Sequence, residues 1–422
     1  MPDPADERPT VDLDHHDPAF HADRHERWGE LRRECPVAWN ERYGGFWMVA
    51  SHAEVDQVAR DGATFSSEHR TEPTADGVTL LGIAGIPRGR GIPTAGIAEV
   101  EGPTHLALRR IINTHLVPNA VKRRRPFMEA TTRWFLDQRI ESGQIDLVED
   151  LTSPVPAVLT MDLVGLSLDD WASYAEFFHG TIAYRPGSDE FADALGKIGP
   201  MRARLAEETE DRRRAPKDDL LTELVQLEVD GAPLTNDEVQ SVLWNLVGGG
   251  LDTTTSLTAL ALLHLHHHPD QRQALAADPG LLIGATEEFL RFYTVNETLT
   301  RTVTAPTELG GQHLRRGEHV MLSWSSANRD EAVFERPDEV LLDRAPNPHL
   351  AFGVGPHRCI GMHLARTLFQ VMLTELLDRI GDYVVDVDRT QRYAGNPELD
   401  GLVRLPATFT PGPRLGPAER PF

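Results

Sequence analysis

Cysteine is nearly missing from this chain. Two of 422 residues, Cys35 and Cys359, carry thiols. Two such distant thiols cannot make a disulfide framework, which points to a reducing compartment. Lysine is scarce too: Lys122, Lys197 and Lys217 are three of 42 cations, and the other 39 are arginine. Arginine codons are GC-rich, so this describes the genome rather than the chemistry. Cations as a whole are outnumbered, and 42 against 65 carboxylates leaves a net charge of −23. That balance argues against a general nucleic-acid binder, whose affinity rests on clustered cations at phosphates. The opening MPDPADERPTVDLDHHDP lacks the basic segment and apolar run of a signal peptide. No window reads as the ~18 apolar residues of a membrane-spanning helix. These absences predict a soluble, cytoplasmic protein without a membrane anchor, beginning with a flexible acidic tail over residues 1–16.

What is present reads as globular: 40% apolar and 25% charged residues. At about 150 residues per domain the length allows roughly three domains, or one large one. There is no internal repeat and no long linker. Residues 36–50, PVAWNERYGGFWMVA, alternate around a Gly-Gly pair and predict a hairpin. Residues 71–100 hold six glycines and three prolines; a loop this long inside a compact domain is usually a lid or binding loop. From about Pro103 to Leu290 the pattern is helical, with breaks predicted near Pro118, Pro126, Pro154, Pro186 and Pro216. After Arg291 short strands take over, ending in a hairpin around Asp400-Gly401, a type I′ turn signal. The fold class is therefore mainly α with small β-sheets.

Within the helical part, Thr235 followed by Glu238 forms a capping-box signature. An apolar pattern then runs about thirty residues to Pro269, roughly 45–50 Å of helix. Gly248, Gly249 and Gly250 interrupt it at a cost of about 1 kcal/mol each. Such a cluster serves close approach of a ligand, a kink, or tight helix packing. His264 and His266-His267-His268 end this helix, where imidazoles favour the negative end of the dipole.

Cys359 closes the glycine-containing segment HLAFGVGPHRCIG, residues 349–361, just ahead of another helical stretch. A helix N-terminus stabilises a thiolate. Taken alone, this cysteine could be an inert core residue, a zinc ligand short of partners, a nucleophile with His357 as base, or a haem ligand. The spacing Phe352-Gly353-x-Gly355-x-His357-x-Cys359-x-Gly361 resembles the haem-binding loop of the cytochrome P450 monooxygenases, and four further motifs follow in the family's order between about Pro36 and Pro411.

Glu288-x-x-Arg291 resembles the family's buried ion pair, tying its helix to the segment near Asn328, Arg329, Phe334, Pro337 and Arg344. Gly249-Gly250-Leu251-Asp252-Thr253-Thr254 resembles the oxygen-activation motif. There Asp252 is a carboxylate able to swing between solvent and pocket as a proton relay, and Thr253 is the hydroxyl that holds oxygen and water. The two glycines leave room for the haem and dioxygen. His105 and Arg109, four apart on one helical face, resemble the pair that meets a haem propionate, and Arg301 and His357 match the positions that meet the propionates from the other side.

The resemblance implies a single haem domain over residues 17–422, with haem b (iron protoporphyrin IX) between the long central helix and the Cys359 loop and helix. It implies insertion of one atom of dioxygen into an apolar small molecule, by hydroxylation or epoxidation. Electrons would come from a ferredoxin and an NAD(P)H-dependent ferredoxin reductase, since the sequence carries no flavin or nicotinamide fingerprint. A monomer is expected. The basic run Lys122-Arg123-Arg124-Arg125 offers a docking patch for an acidic ferredoxin. Pocket walls are expected from Val247, Val295, Asn296 and Leu299, under a roof of residues 79–98 and the region Phe177–Arg185. Two rivals are a haem-thiolate peroxygenase using hydrogen peroxide, a type that lacks the acid–alcohol pair, and a non-catalytic haem-binding protein, which needs no proton relay.

Overall fold

Prolines and capping side chains set many of the helix starts. The computed structural model describes residues 8–89, 94–394 and 398–422. In chain order the helices are α1 (Pro18–Glu34), α2 (His52–Arg60), α3 (Gly102–Leu116), α4 (Pro118–Asp137), α5 (Pro154–Val164), α6 (Trp171–Ala183), α7 (Asp189–Gly196), α8 (Ile198–Arg214), α9 (Leu220–Gln226), α10 (Asn236–His267), α11 (Pro269–Ala277), α12 (Leu281–Tyr293), α13 (Trp324–Ala327) and α14 (Met362–Ile380). Proline occupies the first turn of α1, α3, α4, α5 and α11, where its missing N–H leaves no bond unmade. Pro126, expected to break a helix, instead lies inside α4. The carbonyl it deprives belongs to the exposed Lys122, so water can satisfy it, while Val121, Met128 and Phe135 hold the buried face in place.

The capping box at α10 forms as expected. Thr235 Oγ1 accepts the Glu238 N–H, and Glu238 Oε2 accepts the Thr235 N–H at 2.8 Å. The helix then runs 32 residues, about 48 Å, and packs against α5, α6, α8 and α14. It does contain an 18-residue window apolar enough to cross a membrane, contrary to the sequence expectation, but 72% of that window is buried inside the protein. Its apolarity serves the main core. At its end His264 stacks on His268, with ring centroids 4.1 Å apart, and is hydrogen-bonded to Gln271.

The largest sheet has strands β1 (Thr10–Val11), β2 (Val37–Asn40), β3 (Phe46–Val49), β4 (Phe65–Ser66), β5 (Thr298–Val303) and β6 (His319–Ser323), in the order β1-β2-β3-β6-β5-β4. The predicted hairpin is β2–β3, with Val37 opposite Val49 and Trp39 opposite Trp47. Small sheets elsewhere include the pair Gln391–Arg392 with Leu402–Arg404. Asp400-Gly401 is not a type I′ turn. Neither residue has positive φ, and the Asp400 carboxylate is drawn away to Arg24 at 2.7 Å.

The expected tail is also corrected from residue 8 onward. Arg8 pairs with Glu318 at 2.6 Å and lies over the Trp39 ring, β1 adds to β2 in parallel, and His15 is buried. The earlier part of that tail, residues 1–7, lies outside the described residues, as do Gly91 and Pro93 of the long loop.

Candidate active site around Cys359

The loop before α14 is shaped by two glycines at positive φ, Gly353 (62°) and Gly355 (73°). A Cβ on Gly355 would collide with the Ala59 carbonyl of α2, so this position requires glycine for space as well as for conformation. Asn328 Oδ1 accepts the Leu350 N–H at 2.6 Å, and the Cys359 N–H donates to the Phe352 carbonyl at 2.8 Å. Phe352 itself lies under the Arg366 guanidinium, 4.5 Å from ring centroid to carbon, and Arg366 is held by a bidentate pair with Glu287.

Cys359 is the exposed thiol of the two, although protein atoms crowd around it. Burial pushes the thiol up, while the Gly361 N–H and the charges of Arg109, Arg366 and Arg358 pull the other way. The donors favour a thiolate without completing one; a cation at the sulfur would complete it.

Four basic side chains from three elements gather nearby. His105 and Arg109 come from α3, Arg301 from β5 and His357 from the Cys359 loop. The His105 and His357 rings lie 4.4 Å apart. Arg301 is buried and donates to the carbonyl of its own neighbour, Thr300, at 2.7 Å. Arg109 donates to the Arg358 carbonyl at 2.9 Å. Glu101 approaches His357 at 4.0 Å. Burial pushes all four toward their neutral forms: Arg301 down to about 10, His357 down to about 3 with help from His105, Arg301 and Arg109, and His105 and Arg109 downward as well. His105 Nε2 is buried without a hydrogen-bond partner. Buried cations and an orphan nitrogen are costly unless an anion meets them. The two propionates of a haem would supply that, and Cys359 would be the residue to hold its iron through sulfur. The residues present fit the group.

The three glycines of α10 separate by role. A Cβ on Gly248 would come within 2.7 Å of Phe178, and one on Gly250 within 2.5 Å of Thr160, whereas one on Gly249 meets nothing within 4 Å. Gly249 alone opens onto space. Gly250, expected to make room for haem and dioxygen, instead lets α10 approach α5. Thr253 lies one turn beyond Gly249 on the same stripe, and its Oγ1 donates to the Gly249 carbonyl at 2.8 Å. Val247 is fully buried on the Gly250 side, so it walls the core and not the pocket. Asn245, one turn before Gly249, is partly exposed on the open stripe. The fourfold spacing Asn245-Gly249-Thr253 could have revealed it in the sequence.

Asp252 does not swing free. Its Oδ1 accepts from His179 Nδ1 at 2.8 Å and its Oδ2 from the Tyr393 hydroxyl at 2.6 Å. No spacing rule joins residues 73 and 141 positions distant, so sequence reasoning missed both partners. The roof segment beginning at Phe177 does reach this region, where Phe177 and Phe178 pack on Trp244. Leu299 shares the Arg301 face of β5 by the twofold strand period, and Asn296 forms a β-bridge with Leu399. Val295 accepts the Asp400 N–H at 3.0 Å.

Glu288 and Arg291 are both completely buried and joined by two bonds of 2.8 Å. Arg291 also donates to the carbonyls of Asn328, Pro337 and Glu339, and Arg344 joins Glu288 at 2.9 Å. The pair pins α12 to the segment leading into the Cys359 loop, as expected. Of the basic run, Arg124 pairs with Asp162 and Arg125 with Glu129; Lys122 and Arg123 are exposed on α4.

A mainly helical fold offering one thiolate and a propionate cradle defines a haem-thiolate protein, and the comparisons with known proteins agree. The family model for cytochrome P450 matches residues 188–381. A steroid C26-monooxygenase of Mycobacterium tuberculosis is 30% identical over 417 residues, covering 97% of this chain and 100% of the relative. An erythromycin C-12 hydroxylase of Saccharopolyspora erythraea is 32% identical over 393 residues, covering 92% and 94%. The solved structure of Mycobacterium marinum cytochrome P450 CYP268A2 in complex with pseudoionone superposes with a TM-score of 0.86 at 29% identity, covering 95% of this chain and 99% of that one. The chain belongs to the cytochrome P450 family. It is a haem enzyme, an oxidoreductase that incorporates oxygen into organic substrates.

Proposed function

We propose that residues 17–422 form a single haem domain that hydroxylates or epoxidises an apolar small molecule, with electrons delivered by a ferredoxin and its NAD(P)H-dependent reductase. The observation that carries the site assignment is the cluster His105, Arg109, Arg301 and His357, which lies beside the thiol of Cys359 and, among the described residues, has Glu101 as its one nearby carboxylate. Haem held there supplies the iron centre at which dioxygen is reduced and cleaved. His105 and Arg109 of α3 would meet a propionate from one side, and Arg301 and His357 would meet the propionates from the other. Gly249 keeps the wall of α10 open. Thr253 presents its hydroxyl on that wall, and the adjacent Asp252 is the acid of the acid–alcohol pair. The acid–alcohol pair favours dioxygen with external electrons over hydrogen peroxide, and it has no use in a passive haem binder. Leu299, Val295 and Asn296 border the substrate, with Asn245 adding a polar contact.

The test is product formation under isotopically labelled dioxygen, with ferredoxin, reductase and NAD(P)H or with hydrogen peroxide. Label in the product under the first condition supports the reading; turnover with peroxide and none with ferredoxin, reductase and NAD(P)H supports the peroxygenase instead. The red-shifted Soret band of the reduced, carbon-monoxide-bound protein checks Cys359 ligation. Reversing Lys122 and Arg123 to glutamate tests the docking patch: ferredoxin-supported turnover should fall and its salt dependence flatten, with peroxide-supported turnover unchanged. Unaltered ferredoxin kinetics at low salt would rule the patch out.

A further inference from the structure

Two adjacent carboxylates of α12 serve different partners. Glu288 is completely buried against Arg291 and Arg344. Glu287 keeps 28% side-chain exposure and binds Arg366 of α14 and His349 of the loop that leads to Phe352. Arg366 donates to its two oxygens through Nε at 2.7 Å and a terminal nitrogen at 2.6 Å. His349 Nδ1 accepts the Ala351 N–H at 3.2 Å. Its ring proton is therefore on Nε2, which donates to Glu287 at 3.1 Å. Burial would raise the Glu287 carboxyl, but its bonds to His349 and Arg366 and the Arg366 charge outweigh burial and bring it down to about 2. The group thus carries one fixed cation and one fixed anion around a neutral ring.

The cation of this group lies on the side of Cys359. Its guanidinium carbon is 4.5 Å from the centre of the Phe352 ring, a cation–π contact. The Phe352 carbonyl in turn accepts the Cys359 N–H at 2.8 Å. Two other guanidinium groups bear on the sulfur, those of Arg109 and Arg358. Arg358 is exposed, and Arg109 donates to the Arg358 carbonyl and belongs to the propionate cradle. Of the three, Arg366 is the one fixed at once by a fork of two carboxylate bonds and an aromatic face. Holding a long side chain this way costs rotamer entropy. The Glu288 network already ties α12 to the segment leading into this loop. What the Glu287–Arg366 pair adds is a positive charge of fixed position beside the thiolate.

We propose that Arg366, stacked on Phe352 beside the axial sulfur, raises the reduction potential of the haem iron held by Cys359, and that Glu287 is the positioning residue that holds this cation and offsets part of its charge. The inference rests on Cys359 as the iron ligand. In the step concerned, ferric iron takes one electron from a one-electron donor protein and becomes ferrous. No bond forms or breaks, and the site gains one negative charge. A fixed cation nearby favours that change and a fixed anion opposes it, each by a Coulomb energy that falls with distance and with screening by solvent. The same cation draws electron density onto the sulfur and so weakens its donation to iron, an effect of the shell around a metal ligand. Arg366 and Glu287 keep 22% and 28% exposure, so each adjusts the potential moderately.

The test is a potentiometric titration of the holoenzyme with dithionite and mediator dyes, in the wild type, Arg366→Gln, Arg366→Lys and Glu287→Gln. Arg366→Gln should lower the potential and Glu287→Gln should raise it, each by about threefold or more in the one-electron equilibrium, or about 28 mV. Arg366→Lys keeps the charge and should stay closer to the wild type than Arg366→Gln does. The carbon–oxygen stretch of the reduced, carbon-monoxide-bound protein gives a second readout. It should fall in Arg366→Gln, where the sulfur donates more, and rise in Glu287→Gln. A pair that merely pins α12 to α14 would be loosened from either side alike. Shifts of one sign in both variants, no shift in either, or a lysine variant displaced as far as the glutamine one would each overturn the proposal. If Arg366→Gln does not retain haem, Glu287→Gln decides: an unchanged or lowered potential overturns the proposal and a raised one supports it. Absence of the thiolate Soret band in the wild type would instead remove the assignment of Cys359 beneath it.

Discussion

Arg301 shows how much a single side chain is asked to do. It sits within β5, buried, with a neighbouring backbone carbonyl as its hydrogen-bond acceptor and Glu101 as the carboxylate that favours its charge. A guanidinium so placed is stable only when an anion meets it. Arg301→Leu therefore removes a charge-assisted contact to the haem, about 1.5–3 kcal/mol, and should lower the haem-to-protein ratio retained through gel filtration. The apoprotein should become more stable in the same variant, because a buried, poorly paired cation is gone. A leucine variant that kept full haem and lost apoprotein stability would contradict this account.

At the scale of elements, α10 is a helix whose adjacent glycines serve opposite sides. Gly250→Ala drives a Cβ into Thr160 of α5 and should destabilise the fold by about 1–3 kcal/mol. Gly249→Ala meets open space, should gain up to about 1 kcal/mol of helix propensity, and should disturb turnover rather than folding. Thermal unfolding of the two variants side by side separates packing from pocket. The second structural knot is Glu288, which accepts from Arg291, Arg344, Asn347 and the Leu341 N–H. Glu288→Gln leaves two buried guanidinium groups short of a counter-charge and should cost about 3–5 kcal/mol, read as a lowered midpoint in denaturant and early loss of haem.

For the whole molecule, the net charge of −23 conceals buried rings that respond to acid. Burial is the leading cause that pushes His15 and His264 down to about 4 and His25 to about 2. In the unfolded chain each titrates near 6.5. Below that pH the unfolded chain binds protons the folded one refuses, so this contribution to stability is fully present above about pH 6.5 and is lost as pH falls toward 4. The loss is up to about 1.4 kcal/mol per pH unit for each ring. Unfolding midpoints measured between pH 7 and pH 5 should fall steeply, and His264→Gln should flatten the slope.

Much of the local order was legible in the chain itself. The Thr235–Glu238 cap, the β2–β3 hairpin, the Glu288–Arg291 pair and the glycine loop before Cys359 depend on residues a few positions apart, and short-range geometry determines them. The gathering of His105, Arg109, Arg301 and His357 was legible only by resemblance, since no local rule joins helix, strand and loop. Tertiary structure alone decided which glycine of α10 faces open space, that Val247 faces the core, that Pro126 could stay inside α4 and that residues 8–16 dock on the sheet. It also decided that Asp252 is clamped by His179 and Tyr393. The reason is physical: a sequence states which side chains share a turn or a strand face, while packing decides what lies opposite them. Proton transfer and cofactor binding depend on what lies opposite.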